Sequence, residues 1–283
     1  MSKKKVALVI DSTANLPEEF VEKYNIYVIP LIVNWAGESL RDGVDITPTA
    51  FYERLTRAKE MPSTSQPSAG EFVDVFSKAA ETAESILCLT ISSELSGTFA
   101  SANAARDMLE DIPIDIVDTR STVMAMGFMA LKAAEAIENG ADLAEAAQVA
   151  RDLITKVRIL FVVDTLEFLH RGGRIGGASR LFGSVLSIKP VLTLENGRID
   201  TLEKIRTKRK AIQYMLDYVV ADVAGKSEIH AVMLNAVAFD DADAAAAKLQ
   251  QQLNIENIPH SELSPVIGTH VGPGAIGIAY YAE

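Results

Sequence analysis

The chain has 283 residues, of which 48% are hydrophobic and 23% charged, a composition of ordinary globular proteins that excludes the disordered class. Its length exceeds that of most single domains and predicts two lobes. The net charge of -11 argues against a protein whose main task is to bind nucleic acid or anionic membrane surfaces. A single cysteine excludes an internal disulfide and a multi-cysteine metal site. No stretch approaches the ~20 apolar residues of a membrane span or forms a signal peptide, so we expect a cytoplasmic protein.

Short β-branched runs alternate with helical patterns in the first part of the chain. The helical patterns repeat apolar residues every three or four positions, as at Phe72, Phe76 and Ala79. Apolar strands that alternate with amphipathic helices are typical of a mostly parallel sheet covered on both faces. We therefore assign residues 1–163 to an N-terminal α/β domain. Its predicted strands are 5–11, 26–33, 86–91, 114–117 and 159–163.

The pattern changes after about residue 165. Asn196 and Gly197 separate two strand-like runs, 191–195 and 198–203, and this dipeptide suits the type I′ turn of a hairpin. A basic helix start, a strand, an alanine-rich helix and a last strand follow, at 207–210, 228–234, 241–253 and 275–282. Residues 164–283 are therefore predicted to be a C-terminal α+β domain that includes a loop with His270. The predicted fold class is α/β with two lobes and a ligand between them.

Two hydroxyl-rich segments stand where a strand or turn meets a helix. The first contains Thr64 and Ser65 between two prolines, and the second contains Ser92, Ser93 and Ser96-Gly97 after a predicted strand. The carboxyl end of a strand next to a helix N-terminus is the favoured position for an anionic ligand in an open α/β sheet. The alternatives are local: the first segment also suits a capped turn before a helix, and Ser96 also suits a helix N-cap.

Two glycine-rich segments carry the other candidate residues. Residues 169–177 place Arg171 and Arg174 among four glycines, but they match neither a dinucleotide fingerprint nor a Walker A loop. A flexible turn between the lobes is the alternative there. Residues 268–274 place His270 among glycines and a proline, and the other histidines offer no metal-ligand spacing. We therefore predict that His270 donates a hydrogen bond to a bound anion and that the chain has no metal site.

Enzymatic interpretations remain as alternatives. Ser93 with His270 could form the dyad of a serine esterase or thioesterase, with Asp118 or Asp164 orienting the histidine, although the chain has no G-x-S-x-G elbow. Asp11-Ser12-Thr13 is similar to an aspartyl-phosphate nucleophile motif, but the second aspartate of such phosphatases is missing. A binding module for another carboxylate or an isoprenoid ligand is the third hypothesis.

Seven segments, in order along essentially the whole chain, resemble the DegV family of bacterial fatty-acid-binding proteins. The resemblance implies a carrier that holds one long-chain fatty acid between its lobes and has no catalytic turnover or cofactor. It also implies that the carrier presents the carboxylate to a separate fatty acid kinase, which makes acyl-phosphate for phospholipid synthesis. The matching segments are 9–14, 64–68, 91–93 with 95–98, 173–175, 188–190, 206–208 and 269–274.

The resemblance also assigns roles to individual residues. A threonine and a serine of the two hydroxyl-rich segments and a histidine of the last segment look like carboxylate-binding residues, and among the serines we favour Ser93. Arg174 and Arg206 look like residues for kinase docking or phosphoryl transfer. They belong to a basic cluster that could equally be a solvated helix face. The predicted carboxylate-binding set is Thr64, Ser65, Ser92, Ser93, Ser96, Gly97 and His270.

Overall fold

The computed structural model of the protein describes residues 3–183 and 188–283. Within those ranges, no helix combines the length and the apolar character needed to cross a membrane. The chain divides into two compact units, the first made of Met1–Ile46 with Thr64–Thr155 and the second of Thr47–Ser63 with Lys156–Glu283. The predicted domains, 1–163 and 164–283, stay a prediction, and Met1 and Ser2 lie outside the described residues.

The described elements alternate along most of the chain. The strands are β1 (Lys4–Asp11), β2 (Tyr27–Ile29), β3 (Ile32–Trp35), β4 (Glu38–Arg41), β5 (Ser63–Ser65), β6 (Ala83–Thr90), β7 (Ile114–Asp118), β8 (Arg158–Val162), β9 (Val191–Glu195), β10 (Arg198–Glu203), β11 (Ile229–Asn235), β12 (His260–Glu262) and β13 (Ile276–Ala282). The α-helices are α1 (Glu18–Tyr24), α2 (Pro48–Leu55), α3 (Ala69–Thr82), α4 (Thr98–Arg106), α5 (Val123–Glu138), α6 (Leu143–Leu153), α7 (Glu167–Arg171), α8 (Lys208–Asp222), α9 (Phe239–Leu253) and α10 (Pro265–Val271). Short 3₁₀ helices span Ser12–Ala14 and Gly176–Leu181.

A four-stranded parallel sheet, in the order β2-β1-β6-β7, forms the centre of the first unit. Its strands read as continuous apolar runs because helices cover both faces. Side chains such as Val9 and Cys88 face α3 and α4, while neighbours such as Leu8 and Ile10 point to the other face, where α5 and α6 lie. The predicted parallel sheet flanked by helices is confirmed.

The predicted strand at 26–33 is wrong, because Pro30 divides it. β2 stays in the parallel sheet, whereas β3 begins after the proline and pairs antiparallel with β4 in a second, three-stranded sheet of order β4-β3-β5. Proline has no backbone N–H to donate to a ladder, so it marks the point where the chain leaves one sheet for another.

A six-stranded mixed sheet, in the order β10-β9-β8-β13-β11-β12, forms the second unit, and α8 and α9 pack on it through a buried apolar cluster. The predicted hairpin is confirmed: β9 and β10 pair antiparallel, and Asn196 and Gly197 have φ values of 49° and 82°. β8 was expected in the parallel sheet but pairs antiparallel with β9 and β13. A short apolar run reveals that a strand is buried but not which strands it joins, and that is why the sequence misplaced it.

Candidate functional site

The carboxyl ends of β1, β6 and β7 meet at one edge of the parallel sheet, and polar residues follow each strand. We call this the hydroxyl edge, made of residues 11–14, 90–98 and 118–123. Ser92 donates its backbone N–H to the carbonyl of Ser121 at 2.8 Å, and the Thr119 hydroxyl donates to the carbonyl of Thr90 at 2.7 Å. Adjacent parallel strands place their carboxyl ends side by side, so hydrogen bonds hold the three segments together.

Ser93, the serine favoured as the direct ligand contact, is bonded to an acid. Its hydroxyl donates to Asp118 Oδ2 at 2.6 Å, its backbone N–H donates to Asp118 Oδ1 at 3.1 Å, and Arg120 Nη1 donates to its Oγ at 3.3 Å. Asp118 is the last residue of β7, and Ser93 lies three residues beyond the end of β6. The sequence suggested Asp118 only as a partner for His270. A ligand carboxylate held by the Ser93 hydroxyl must replace the bond to Asp118.

Ser96 and Gly97 precede α4. The N-cap position is held by Gly97 rather than by Ser96, but the Ser96 hydroxyl performs a capping role by accepting the N–H of Thr98 at 3.3 Å. Because the N–H groups in the first turn of a helix have no partner within the helix, the start of α4 presents backbone donors at the hydroxyl edge.

The segment with Thr64 and Ser65 contains the short strand β5. The Ser65 hydroxyl accepts from Asn34 Nδ2 at 3.1 Å, which ties β5 to β3. A Cβ on Gly97 would lie 2.9 Å from Nε2 of Gln66, so the amide of Gln66 lies against the start of α4. The structure therefore brings the two hydroxyl-rich segments together. The helix-capping alternative is also realised, by Ser68 in a capping box with Glu71.

Strained backbone marks the third strand end of the hydroxyl edge. Arg120 and Val123 have φ values of 52° and 45°, a region that a β-branched residue rarely adopts. Such strain costs of order 1–3 kcal/mol per residue and concentrates at ligand clamps and active sites. Arg120 also lies 3.6 Å from Glu94. Sequence reasoning missed Arg120, because neither its type nor its neighbours indicate a left-handed conformation.

Asp11 is fully buried at the end of β1. Burial raises the pKa of its carboxyl to about 6, although hydrogen bonds from Thr13 and Ile91 lower that pKa, and the nearby charge of Asp42 raises it further. The resemblance to a phosphatase nucleophile drew attention to this residue, but its hydrogen bonds give it a role in holding the backbone.

His270, in the second unit, lies in the last turn of α10 rather than in a loop, because Ser264-Pro265 begins a short helix with proline in its first turn. Burial, reinforced by the positive charge of Arg174, lowers the pKa of His270 to about 4. The imidazole is therefore neutral at pH 7, so one of its two ring nitrogens carries a proton and the other does not.

Glycines surround His270 because side chains would collide there. A Cβ on Gly172 would lie 2.2 Å from His270 Nδ1, and Arg174 Nη1 donates to the carbonyl of Gly172 at 2.7 Å. Gly272 has φ 73° and ψ 171°, a conformation essentially reserved for glycine, and its Cβ would lie 2.3 Å from the Phe168 ring. The structure thus brings together His270, Arg174, Gly172 and Gly272, so one glycine of each glycine-rich segment lies in this group. We call this group the His270 cluster.

The predicted basic cluster is partly paired with acids. Its members are Arg171, Arg174, Arg180, Lys204, Arg206, Lys208, Arg209 and Lys210. Lys208 lies 3.2 Å from Asp164 and 3.0 Å from Asp241, and Arg180 lies 3.0 Å from Asp200. Arg206 is exposed and stands two residues before α8.

Other features of the first unit bear less on the site. A cleft of about 760 Å³ is lined by the amino ends of β1 and β2 and by the last turns of α1, α3 and α5, at the edge opposite the hydroxyl edge. Met124, Met126 and Met129 of α5 are buried, in agreement with core packing.

Among the described residues, no group of three or more potential ligands could hold a metal ion.

The architecture defines a mixed α/β protein with a parallel sheet and a separate mixed sheet, and it matches known proteins over nearly its full length. The family model described as uncharacterised protein, DegV family, matches residues 5–283. A DegV domain-containing protein of Clostridium perfringens is 38% identical over 98% of this chain and 99% of its own. The chain belongs to the DegV family.

Solved structures of several DegV family proteins share this fold. The structure of DegV from Bacillus subtilis, a fatty acid binding protein, has a TM-score of 0.92 and 34% identity, and covers 99% of this chain and 100% of its own. A fatty-acid-binding DegV family protein from Thermus thermophilus has a TM-score of 0.90 and 36% identity, with the same coverage.

Proposed function

We propose that the chain is a cytoplasmic carrier that binds a long-chain fatty acid and presents its carboxylate to a fatty acid kinase for acyl-phosphate formation in phospholipid synthesis. The observation that carries the proposal is the hydroxyl edge, which places serines and the start of α4 together in a chain of the DegV family. Family members of known structure bind fatty acids and match nearly the whole chain.

The proposed head-group site consists of neutral donors. A buried carboxylate is costly unless it accepts hydrogen bonds, and hydroxyl groups, helix N–H groups and a neutral imidazole supply them without a permanent cation. The low pKa of His270 supports this role, because the ring stays neutral at physiological pH. The proposed residues are Thr64, Ser65, Ser92, Ser93, Ser96, Gly97 and His270.

The acyl tail is expected to dominate the affinity. Burial of a sixteen-carbon chain at ~0.8 kcal/mol per methylene amounts to about 12 kcal/mol before the costs of ordering. The head group then sets orientation, and orientation is what a partner kinase requires. We propose that Arg174 and Arg206 serve that partner, in docking or phosphoryl transfer, rather than the ligand.

Native mass spectrometry of protein purified from a bacterial host tests the proposal. A co-purified C14–C18 acid is expected, and a protein that neither carries nor takes up such an acid would contradict it. Turnover of a p-nitrophenyl ester that Ser93→Ala abolishes would instead establish an esterase.

The kinase step has a separate test. Arg206→Ala is expected to keep the bound fatty acid and to reduce the rate of acyl-phosphate formation by the kinase, because Arg206 is exposed ahead of α8. Equal loss of lipid binding and of acyl-phosphate formation would show that Arg206 belongs to the ligand site.

A further inference from the structure

The buried carboxylate of Asp11 joins two of the three segments of the hydroxyl edge. Oδ1 accepts the N–H of Thr13 at 2.9 Å and its hydroxyl at 2.5 Å, while Oδ2 accepts the N–H of Ile91 at 2.6 Å. Both oxygens therefore act as acceptors for backbone N–H groups. An ionised carboxylate can do this fully, and charge-assisted bonds of this kind are the stronger ones.

The hydrogen bond from the Ile91 N–H to Asp11 lies where the chain leaves β6 and enters the hydroxyl-rich segment. Ile91 is the first residue after β6, and the next residues are Ser92 and Ser93. The carbonyl of Ser92 accepts the N–H groups of Leu95 and Ser96. The bond from Ile91 to Asp11 is therefore one of the contacts that fix where this segment leaves the sheet, together with the bonds of Ser92 to Ser121 and of Ser93 to Asp118.

We infer that Asp11 is the positioning residue of the proposed carboxylate site, holding the segment from Ile91 to Gly97 in its ligand-binding conformation through its ionised form. This inference rests on the proposed function for its effect on ligand affinity. Protonation of Asp11 places an O–H where an acceptor is needed and loosens the segment.

The groups around Asp11 define the pH range of this effect. Burial brings the pKa of Asp11 to about 6, the charge of Asp42 raises that pKa, and the charge of Asp11 in turn raises the pKa of the Cys88 thiol. Burial keeps the pKa of Cys88 well above its usual range, so the thiol stays neutral. On β2 the partner of Asp11 is the apolar Ile29. Asp11 thus gains a proton as the pH falls through about 6.

The test compares Asp11→Asn with the wild type in palmitate binding between pH 8 and pH 5. Asparagine has the same shape but one acceptor oxygen, so its NH₂ faces one of the two N–H groups. At pH 8 the variant is expected to bind about tenfold more weakly, about 1.4 kcal/mol, a loss comparable to one hydrogen bond to a charged group. The ratio of the palmitate dissociation constants of Asp11→Asn and the wild type should approach one below pH 6, where Asp11 of the wild type is protonated and has also lost its charge. Asp115→Asn, which removes an acid of β7 paired with Arg151, is the matched control with a ratio near one throughout.

Hydrogen exchange of residues 91–98 gives a readout that needs no ligand. Exchange there should be faster in Asp11→Asn than in Asp115→Asn, and in the wild type it should increase, after correction for intrinsic rates, below pH 6. Equal exchange in all three proteins, a binding ratio that is constant with pH, or tighter binding by Asp11→Asn would overturn the inference. A wild type that binds no palmitate but shows the exchange pattern would instead refute only the proposed function.

Discussion

The hydroxyl edge and the His270 cluster are built by opposite means. In the hydroxyl edge, side chains are fixed by hydrogen bonds to one another and to the backbone, as Ser93 is by Asp118 and Ile91 by Asp11. In the His270 cluster, the backbone approaches closely because side chains are missing, as at Gly172 and Gly272. A substitution therefore removes one hydrogen bond in the first region and introduces a collision in the second.

This difference sets the size of the expected effects. A lost hydrogen bond changes stability or affinity by about 1 kcal/mol, unless a buried partner is left unsatisfied. An extra methyl group in a closely packed region forces backbone shifts that cost about 1–3 kcal/mol, in addition to any strain from a glycine-only conformation. The His270 cluster is accordingly expected to tolerate substitution less well than the hydroxyl edge.

The largest effect is expected for Gly272→Ala. The variant combines a forbidden backbone conformation with a Cβ 2.3 Å from Phe168, and it should lose roughly 4 kcal/mol of unfolding free energy in urea titration. Gly225→Ala is the matched control, because Gly225 has φ 79° but nothing within 4 Å of its Cβ. The control should lose about 1 kcal/mol. Similar losses for the two variants would show that collision is not what makes the His270 cluster sensitive.

The second largest effect is expected in the pH dependence of stability that His270 causes. Its folded pKa of about 4 lies below the ordinary value of 6.5, so the unfolded state takes up the proton first as the pH falls. The contribution of His270 to the free energy of unfolding is therefore complete above pH 6.5. It falls by about 3 kcal/mol as the pH decreases from 6.5 to 4. The difference in unfolding free energy between wild type and His270→Gln should shrink by that amount over this range. A difference independent of pH would contradict the buried, neutral imidazole.

Asp11 changes the free energy of unfolding with pH in the opposite direction to His270. Its folded pKa of about 6 lies above its ordinary value of 3.8, so its burial penalty is absent below pH 3.8, grows as the pH rises from 3.8 to 6, and is constant at higher pH. The two groups therefore offset each other between pH 4 and pH 6. This is why the His270 measurement needs a comparison with a variant rather than the wild-type profile alone.

The smallest effect is expected for the serines of the hydroxyl edge. Ser93→Ala should weaken palmitate binding about tenfold, or about 1.4 kcal/mol, if its hydroxyl leaves Asp118 for the ligand. Ser63→Ala, on the exposed start of β5, should change nothing. Full affinity in Ser93→Ala together with a tenfold loss in Ser96→Ala would show that Asp118 keeps the Ser93 proton and that Ser96 is the direct contact.

Features governed by local backbone chemistry could be predicted from the sequence. Asn196-Gly197 has the positive φ angles that its hairpin requires, and the parallel sheet follows from alternating strands and helices. The helix start at Thr207 is also local, since its side chain accepts the N–H of Lys210. The two hydroxyl-rich segments could be found for the same reason, because they stand next to strand ends and helix starts.

Features that depend on distant partners could not be predicted. β8 is as apolar as the strands of the parallel sheet, but its partners come from residues more than 25 positions away. The bond between Ser93 and Asp118 joins two segments 25 residues apart, and the role of Asp11 depends on Ile91, 80 residues away. A sequence pattern shows that such residues are polar and lie near a strand end, but not which atoms they bond.

The central proposal is that the chain binds the head group of a fatty acid through the proposed carboxylate-binding residues, and ¹³C NMR of bound [1-¹³C]palmitate tests it most directly. The account predicts one bound carboxyl resonance, distinct from that of free palmitate, that shifts in Thr64→Val and again in His270→Gln. A resonance at the same position in the wild type and in both variants would place the carboxylate elsewhere and contradict the account.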